Sequence, residues 1–273
     1  MNTLCDTLQV SRSGYYVWLK RQPSERERQN TLLLEKIREA YLRSRKTYGS
    51  PRIHKALRQE KVFCGRHRVA RLMRQSGIKA QRQSIYKRNS PTNHGRLAAQ
   101  NLVNRDFKVE KPNRIWASDI THFWTGGGWL YLAVVMDLYS RKIIGWSMKS
   151  VIRDDLVIDA LEMAVRARCL EVPEIHHSDQ GSQYASRTFM ARLKEYKIQC
   201  SMSRKGNCYD NAVVESFFKT LKVELTKTTH FKTREDARCQ LFEYIEIFYN
   251  RQRLHSTLGY RSPEEFELKN GVN

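Results

Sequence analysis

A chain of 273 residues with 40% hydrophobic content, thirteen Tyr, ten Phe and five Trp can fill two compact domains, which excludes wholesale disorder. Its longest apolar run, Trp129 to Met136, stops at Asp137 and is too short to span a bilayer; the first ten residues lack the pattern of an export signal. The net charge is +21 and unevenly placed: residues 1–100 hold 23 Lys and Arg against 6 Asp and Glu, the remainder 26 against 22. So basic a first third is the footprint of a polyanion binder, and with no long amphipathic basic helix carrying a Trp/Phe/Leu face, nucleic acid is favoured over a membrane surface.

In chain order, SRSGYYVWLK (residues 11–20) is a short helix–turn pattern with clustered aromatics, and residues 30–46 carry Leu33, Leu34, Ile37, Ala40 and Tyr41 at helical spacing. After the break at Tyr48-Gly49-Ser50-Pro51, Ser50 is the expected cap and Pro51 the first-turn residue of a helix burying Ile53, Ala56 and Leu57. After Gly65, Val69, Leu72 and Met73 share a face, Arg66, Arg68, Arg71 and Arg74 fall largely elsewhere, and Gly77 is the expected stop. Two short helices joined by a tight turn, the second Arg-rich, predict a helix-turn-helix-like element over about residues 48–78, with those four arginines as DNA contacts; the bland alternative is a small helical bundle with a solvated basic surface. Residues 1–90 are thus expected to form a basic, all-α DNA-binding region, and 91–112, rich in Asn, Pro and Gly at its start, a linker.

From residue 113 the pattern changes to strands. IWASDITHF, WLYLAVVMDLYS and RKIIGWSMK, joined by short connections that include the GGG turn at 126–128, predict a three-strand antiparallel meander. Helix, short strand (EIHHSDQ), helix and strand (IQCSMS) follow, and NAVVESFFKTLKVEL and ARCQLFEYIEIFYNRQRL are long helices. The expected fold of residues 113–273 is therefore α/β: a mixed sheet, the meander plus parallel strands, with helices on its faces.

Three acids sit awkwardly in that pattern. Asp119 interrupts a strand, Asp179 ends one just before Gln-Gly-Ser, and Glu215 lies in the apolar helix AVVESFF. Singly they are explained as a turn, a cap and half of an ion pair. Clustered, they would raise one another's pKa unless a cation joined them, and Mg²⁺ suits such hard oxygen donors. Asp210 and Asn211 are expected to cap the Glu215 helix, and Asp137 to shape a turn. The six scattered cysteines are expected to be reduced and mostly buried, and the adjacent His176 and His177 to face opposite sides of a strand without sharing a metal.

The words WASDIT, HSDQGSQY and DNAVVESFFKTLK together resemble the DDE catalytic core of bacterial insertion-sequence transposases, the second-frame products whose core is like retroviral integrase. Glu215 follows Asp179 with 35 residues between, the spacing of that class, and Lys222 stands seven residues on, where the class has Lys or Arg. YGSPRIHKAL…RVARLMRQSGI and YNRQRLHSTLGYRSPEEFE extend the resemblance from about residue 8 to residue 267.

The resemblance implies an RNase H-like core and metal-dependent cleavage of double-stranded DNA at transposon ends, followed by strand transfer from the freed 3′-hydroxyl. Two Mg²⁺ ions, or Mn²⁺ in their place, would be held by Asp119, Asp179 and Glu215, with Lys222 on the DNA; a solvated helix charge is the alternative for Lys222. It implies a bacterial cytoplasmic, nucleoid-associated protein that forms a homo-oligomer on DNA. An upstream-frame product with its own helix-turn-helix and leucine zipper, fused or separate, is the further expected partner. The rival functions are an inactive DNA-binding regulator, disfavoured by the complete triad, and an RNase H-type nuclease, disfavoured by the spacing and the basic N-terminal region.

Overall fold

The computed structural model describes residues 5, 7–81, 99–107, 109–204, 208–226 and 229–271, which divide into two compact units, residues 1–80 and 81–273. In the first, helix α1 (Arg12–Leu19) starts at Ser11, whose hydroxyl accepts from the Gly14 N–H. Helix α2 (Glu25–Arg43) opens with a capping box between Ser24 and Glu27 and buries Leu33, Ile37 and Ala40. Helices α3 (Ser50–Gln59) and α4 (Arg66–Gln75) pack on each other and on α2 through Ile53, Leu57, Val69, Leu72 and Met73. The cap of α3 differs from the expectation. Gly49, not Ser50, is the N-cap, because its carbonyl already accepts the first helical hydrogen bond, from Ile53 N–H at 3.0 Å, and Ser50 lies inside the helix. Gly77 stops α4 as expected: at φ +67° it turns the chain left-handed, and Ile78 N–H donates back to the Met73 carbonyl at 2.8 Å.

The second unit holds one five-stranded sheet in the order β3-β2-β1-β4-β5. Strands β1 (Ile115–Thr125), β2 (Gly128–Asp137) and β3 (Ile143–Lys149) form the antiparallel meander, and β4 (Ile175–Ser178) and β5 (Gln199–Met202) run parallel to β1. This is the expected RNase H-like mixed sheet, and helices α5 (Asp154–Ala167) and α6 (Arg187–Glu195) make its parallel crossovers. Trp116, Val135 and Ile144 pack with Leu156, Leu161 and Val165 into one core. The α5 backbone lies so close to β3 that a Cβ at Gly145 would fall 2.2 Å from the Ala160 carbonyl oxygen.

Helix α7 (Ala212–Leu221) packs on β1, and α8 (Arg234–Phe242) on β2; both continue in wider π turns, to Thr226 and Tyr249. Near the C-terminus, α9 (Pro263–Lys269) contributes Glu267 to a buried cluster in which Arg168 bridges it to Asp137. Asp137 does shape the turn, accepting from Tyr139 N–H at 3.0 Å, and it is also a charged anchor. Within the stretch expected as a linker, residues 101–107 are tied to the second unit: Leu102 N–H donates to Ser201 Oγ at 3.0 Å and Arg105 pairs with Asp210. Of the described cysteines Cys5 alone is buried, so the expected mostly buried set does not hold; Cys169 and Cys239 fall on helix ends and faces that the core leaves open.

Candidate active site

Strand β1 brings Asp119 to the middle of the sheet, just past Ala117, its last residue paired with β4. Asp179 follows the end of β4, and its carboxylate accepts from Gly181 N–H at 2.9 Å, fixing the turn of the Asp-Gln-Gly word. Glu215 sits in the first turn of α7, the helix packed on β1. Three elements that neighbour one another only in the fold thus deliver the three acids to one region.

The electrostatics record this convergence. Burial, then the neighbouring Asp179 and to a lesser degree Glu215, push the Asp119 carboxyl up to about 8; the Ile120 N–H, which outweighs Glu215, and Lys222 oppose them. The surroundings of the Asp179 carboxyl raise it too, against the Gly181 N–H that lowers it, although the residue as a whole is exposed. Glu215 keeps 29% of its side chain exposed and pairs with Lys219 at 3.4 Å, one turn on. Lys222 lies over the Phe123 ring, 5.8 Å from its centroid, and feels Asp119. The site is therefore acidic at its centre with lysines along α7. Among the described residues no three His, Cys, Asp or Glu side chains are placed closely enough to hold a metal ion as they stand. The donors are nevertheless all hard carboxylate oxygens whose mutual repulsion a divalent cation would relieve, so the residues fit such an ion in an open site.

Several residues that sequence patterning undervalued hold this geometry. Ser118, next to Asp119, is gripped twice: its hydroxyl meets His176 Nε2 at 2.7 Å and its carbonyl accepts from Asn211 Nδ2 at 3.0 Å. Asn211 occupies the N-cap position of α7 without making a side-chain cap, and instead ties the helix start to β1. Nor does Asp210 cap. It is a fully buried hub for Arg204, Arg105 and Asn101, and hydrogen bonding from Arg204 above all holds its carboxyl well below the usual carboxylate range. The two histidines do face opposite ways, His177 toward Ser201 and Ser203, and burial drives both toward the neutral form, His176 down to about 3. Tyr184, inside the HSDQGSQY word, is 1% exposed, feels both Asp119 and Asp179, and its hydroxyl has no partner among the described residues.

In the first unit, Arg66 and Arg74 are exposed on α4 and Arg71 is partly so. Arg68 turns inward to donate to Asn30 on α2 at 2.8 Å, which makes it the least available of the four.

A raised carboxyl has a measurable consequence. The folded chain holds the Asp119 proton to higher pH than the unfolded chain does, so this group's effect on stability turns unfavourable above the ordinary carboxylate range and grows until pH passes about 8. Asp119→Asn, which cannot ionise, should therefore gain on the metal-free wild type across that window, by at most about 1.4 kcal/mol per pH unit. Thermal melts with chelator would show the gap widening with pH and closing when Mg²⁺ is added; a gap independent of both contradicts the crowding.

Acids on the first strand, just past the end of the fourth and on the helix packed against the first point to an integrase-type core. The integrase core domain family matches residues 109–208, a second integrase core description matches residues 196–263, and an HTH-like domain matches residues 27–86. The chain is 43% identical over 272 residues to the transposase InsF for insertion sequence IS3A of Escherichia coli (strain K12), covering 99% of this chain and 94% of that one. It is 40% identical over 266 residues to the 31 kDa protein of insertion element IS600 of Shigella sonnei, covering 97% and 98%. The chain belongs to this family of insertion-sequence transposases. Solved structures with a more distant likeness include the HTLV-2 integrase catalytic core domain in complex with magnesium (21% identity, TM-score 0.43, covering 57% of this chain and 96% of that one). Another is the simian T-cell lymphotropic virus intasome with the PP2A regulatory subunit B56 gamma (18% identity, TM-score 0.48, covering 78% and 69%).

Proposed function

We propose that this transposase cuts DNA at the ends of its own insertion sequence and joins the freed 3′-hydroxyls to target DNA, using Asp119, Asp179 and Glu215 around Mg²⁺. The observation that carries the assignment is the placement of three carboxylates by three elements: Asp119 on β1 just past its pairing with β4, Asp179 in the turn that follows β4, and Glu215 in the first turn of α7, the helix packed on β1, close enough that both other acids act on Asp119. When bound, the metal supplies positive charge against the phosphate under attack and favours the ionised nucleophile. The protein's own part is geometric. Ser118, held by His176 and Asn211, fixes the strand that carries Asp119; the Asp179 turn is fixed by Gly181; α7 presents Glu215 and, two turns on, Lys222 for a DNA phosphate. Cleavage breaks the bond from phosphorus to the 3′ oxygen at the expense of water, and transfer exchanges one phosphodiester for another, so no external energy source is required.

Residues 1–90 serve as the DNA reader and 113–273 as the catalytic domain, working as an oligomer on DNA in the bacterial cytoplasm, with an upstream-frame product as a further partner. No helix among the described residues is long and apolar enough to cross a membrane. A duplex bearing the element's terminal repeat should be nicked by the wild-type chain with Mg²⁺ or Mn²⁺ and left intact with a chelator. Binding without cleavage under every metal condition would favour the inactive regulator.

The arginines of α4 make a separate prediction. Arg66→Ala with Arg74→Ala should weaken duplex binding and flatten its log–log salt dependence by about 2, roughly one per lost phosphate contact. Arg68→Ala should instead lower the stability of the first unit, since it removes the bond to Asn30. An unchanged salt slope in the double variant, from fluorescence-anisotropy titrations, would take α4 off the DNA.

A further inference from the structure

The tip of the β1–β2 hairpin carries an aromatic cluster that the core does not use. Trp124 and Trp129 face each other across the strands, rings edge to face at 4.8 Å, and His122 meets Trp129 at 4.9 Å. Cross-strand stacking explains why the two indoles are neighbours. It does not explain why they are left 63% and 43% exposed on the catalytic unit. Beside them lies a cavity of about 340 Å³, lined among others by Phe123, Trp124, Lys222, His230 and Phe231. Its wall is tethered to the hairpin, where Gly126 N–H donates to the Phe231 carbonyl at 3.0 Å.

Charge and position narrow the occupant. Among the described residues lining the cavity none is acidic, Lys222 is one of its walls, and Arg234 donates to the Trp129 carbonyl at 3.1 Å at the same tip. Among the described residues β1 pairs beyond Ala117 with β2 alone, so its other edge leads directly from Asp119 to the cavity. Phe123 stands four positions along β1 from Asp119, roughly 13 Å away. Open aromatic faces combined with cations are what unpaired nucleotides bind, because every base has a face to stack and a phosphate to neutralise.

We propose that this hairpin tip and cavity receive unstacked nucleotides of the DNA end being processed, a few nucleotides from the phosphate over Asp119. The proposal rests on the transposase function argued above and adds a single-strand subsite to it. DNA entering the site would then be frayed at its end, with the tryptophans holding the separated bases.

The test uses the full chain in an Asp119→Asn background with chelator present, so cleavage plays no part and the binding result stands apart from the catalytic assignment. Two DNAs of one sequence are compared by anisotropy, a blunt duplex and the same duplex ending in a short unpaired tail that carries 2-aminopurine. The tailed DNA should bind about tenfold more tightly, with its 2-aminopurine quenched by stacking. Trp124→Ala with Trp129→Ala should abolish both effects while leaving blunt-duplex affinity and the thermal midpoint close to the parent's, and Trp124→Phe with Trp129→Phe should retain much of the preference. Equal affinity for the two DNAs overturns the proposal, as does a preference that the alanine variant keeps. A double variant that instead dissociates an oligomer, seen by light scattering, assigns the tryptophans to a second copy of the chain and overturns it equally.

Discussion

Asp119→Asn should reduce Mg²⁺-dependent strand cleavage by on the order of 10³-fold or more, the scale of losing one electrostatic partner of a transition state, while duplex binding stays within a few-fold of wild type. The substitution keeps the side chain's size and its ability to accept from Ile120 N–H, so the strand should not move. What it removes is one negative charge from a crowded set. Without metal that charge is a burden, as the raised carboxyl of Asp119 shows; with metal bound it would be a ligand in the proposed site. The same change should therefore help the folded apoprotein and disable the enzyme. A structural role alone predicts the opposite pairing, lower stability with activity lost in proportion. Single-turnover cleavage beside thermal melts of the same preparations separates the two.

Arg253→Ala should cost about 3–5 kcal/mol of stability, the penalty for leaving a buried charge without its partner. Arg253 is 5% exposed and donates to Glu224 side-on through Nε and Nη2, at 2.9 and 2.7 Å, and Tyr244 donates to the same carboxylate at 2.7 Å. Glu224 stands two residues after Lys222 in the π extension of α7, so this pair clamps the end of the helix that presents Glu215. At 2–4 °C per kcal/mol for a unit of this size, the melting midpoint should fall by roughly 6–20 °C. Replacing both partners with Met should recover most of the loss, because no unpaired charge remains. By contrast Lys149, whose partners Asp155 and Asp159 are exposed, should tolerate Ala at a cost of about 1 kcal/mol or less. Comparable losses at the two sites, measured by urea titration, would contradict this account.

The sheet was legible in the sequence because its signals are local: alternation in IWASDITHF, a glycine turn, then continuous apolar residues through WLYLAVVMD. The acids were legible as residues out of place, and the surrounding words gave them a shared purpose. What patterning misjudged depends on distant partners. Asp210 stands where a cap belongs, but Arg105 and Asn101 reach it from more than a hundred residues upstream, and a buried carboxylate with arginines serves them rather than a helix end. Asn211 is drawn to the Ser118 carbonyl in the same way, because α7 lies on β1. Tyr184 was part of a quoted motif yet carried no local sign that its hydroxyl would be buried near two acids. Ser50 missed its cap by one residue, the usual scale of error at a helix start.

The central claim is that Asp119, Asp179 and Glu215 surround the catalytic metal, and iron-directed cleavage of the protein tests it most directly. Fe²⁺ loaded in place of Mg²⁺ and treated with peroxide and ascorbate cuts the backbone beside its own ligands. Mass spectrometry should find new chain ends clustered near residues 119, 179 and 215, suppressed by excess Mg²⁺ and lost together in Asp119→Asn. Cuts concentrated elsewhere, or a pattern near those three residues that Asp119→Asn leaves unchanged, would contradict the assignment.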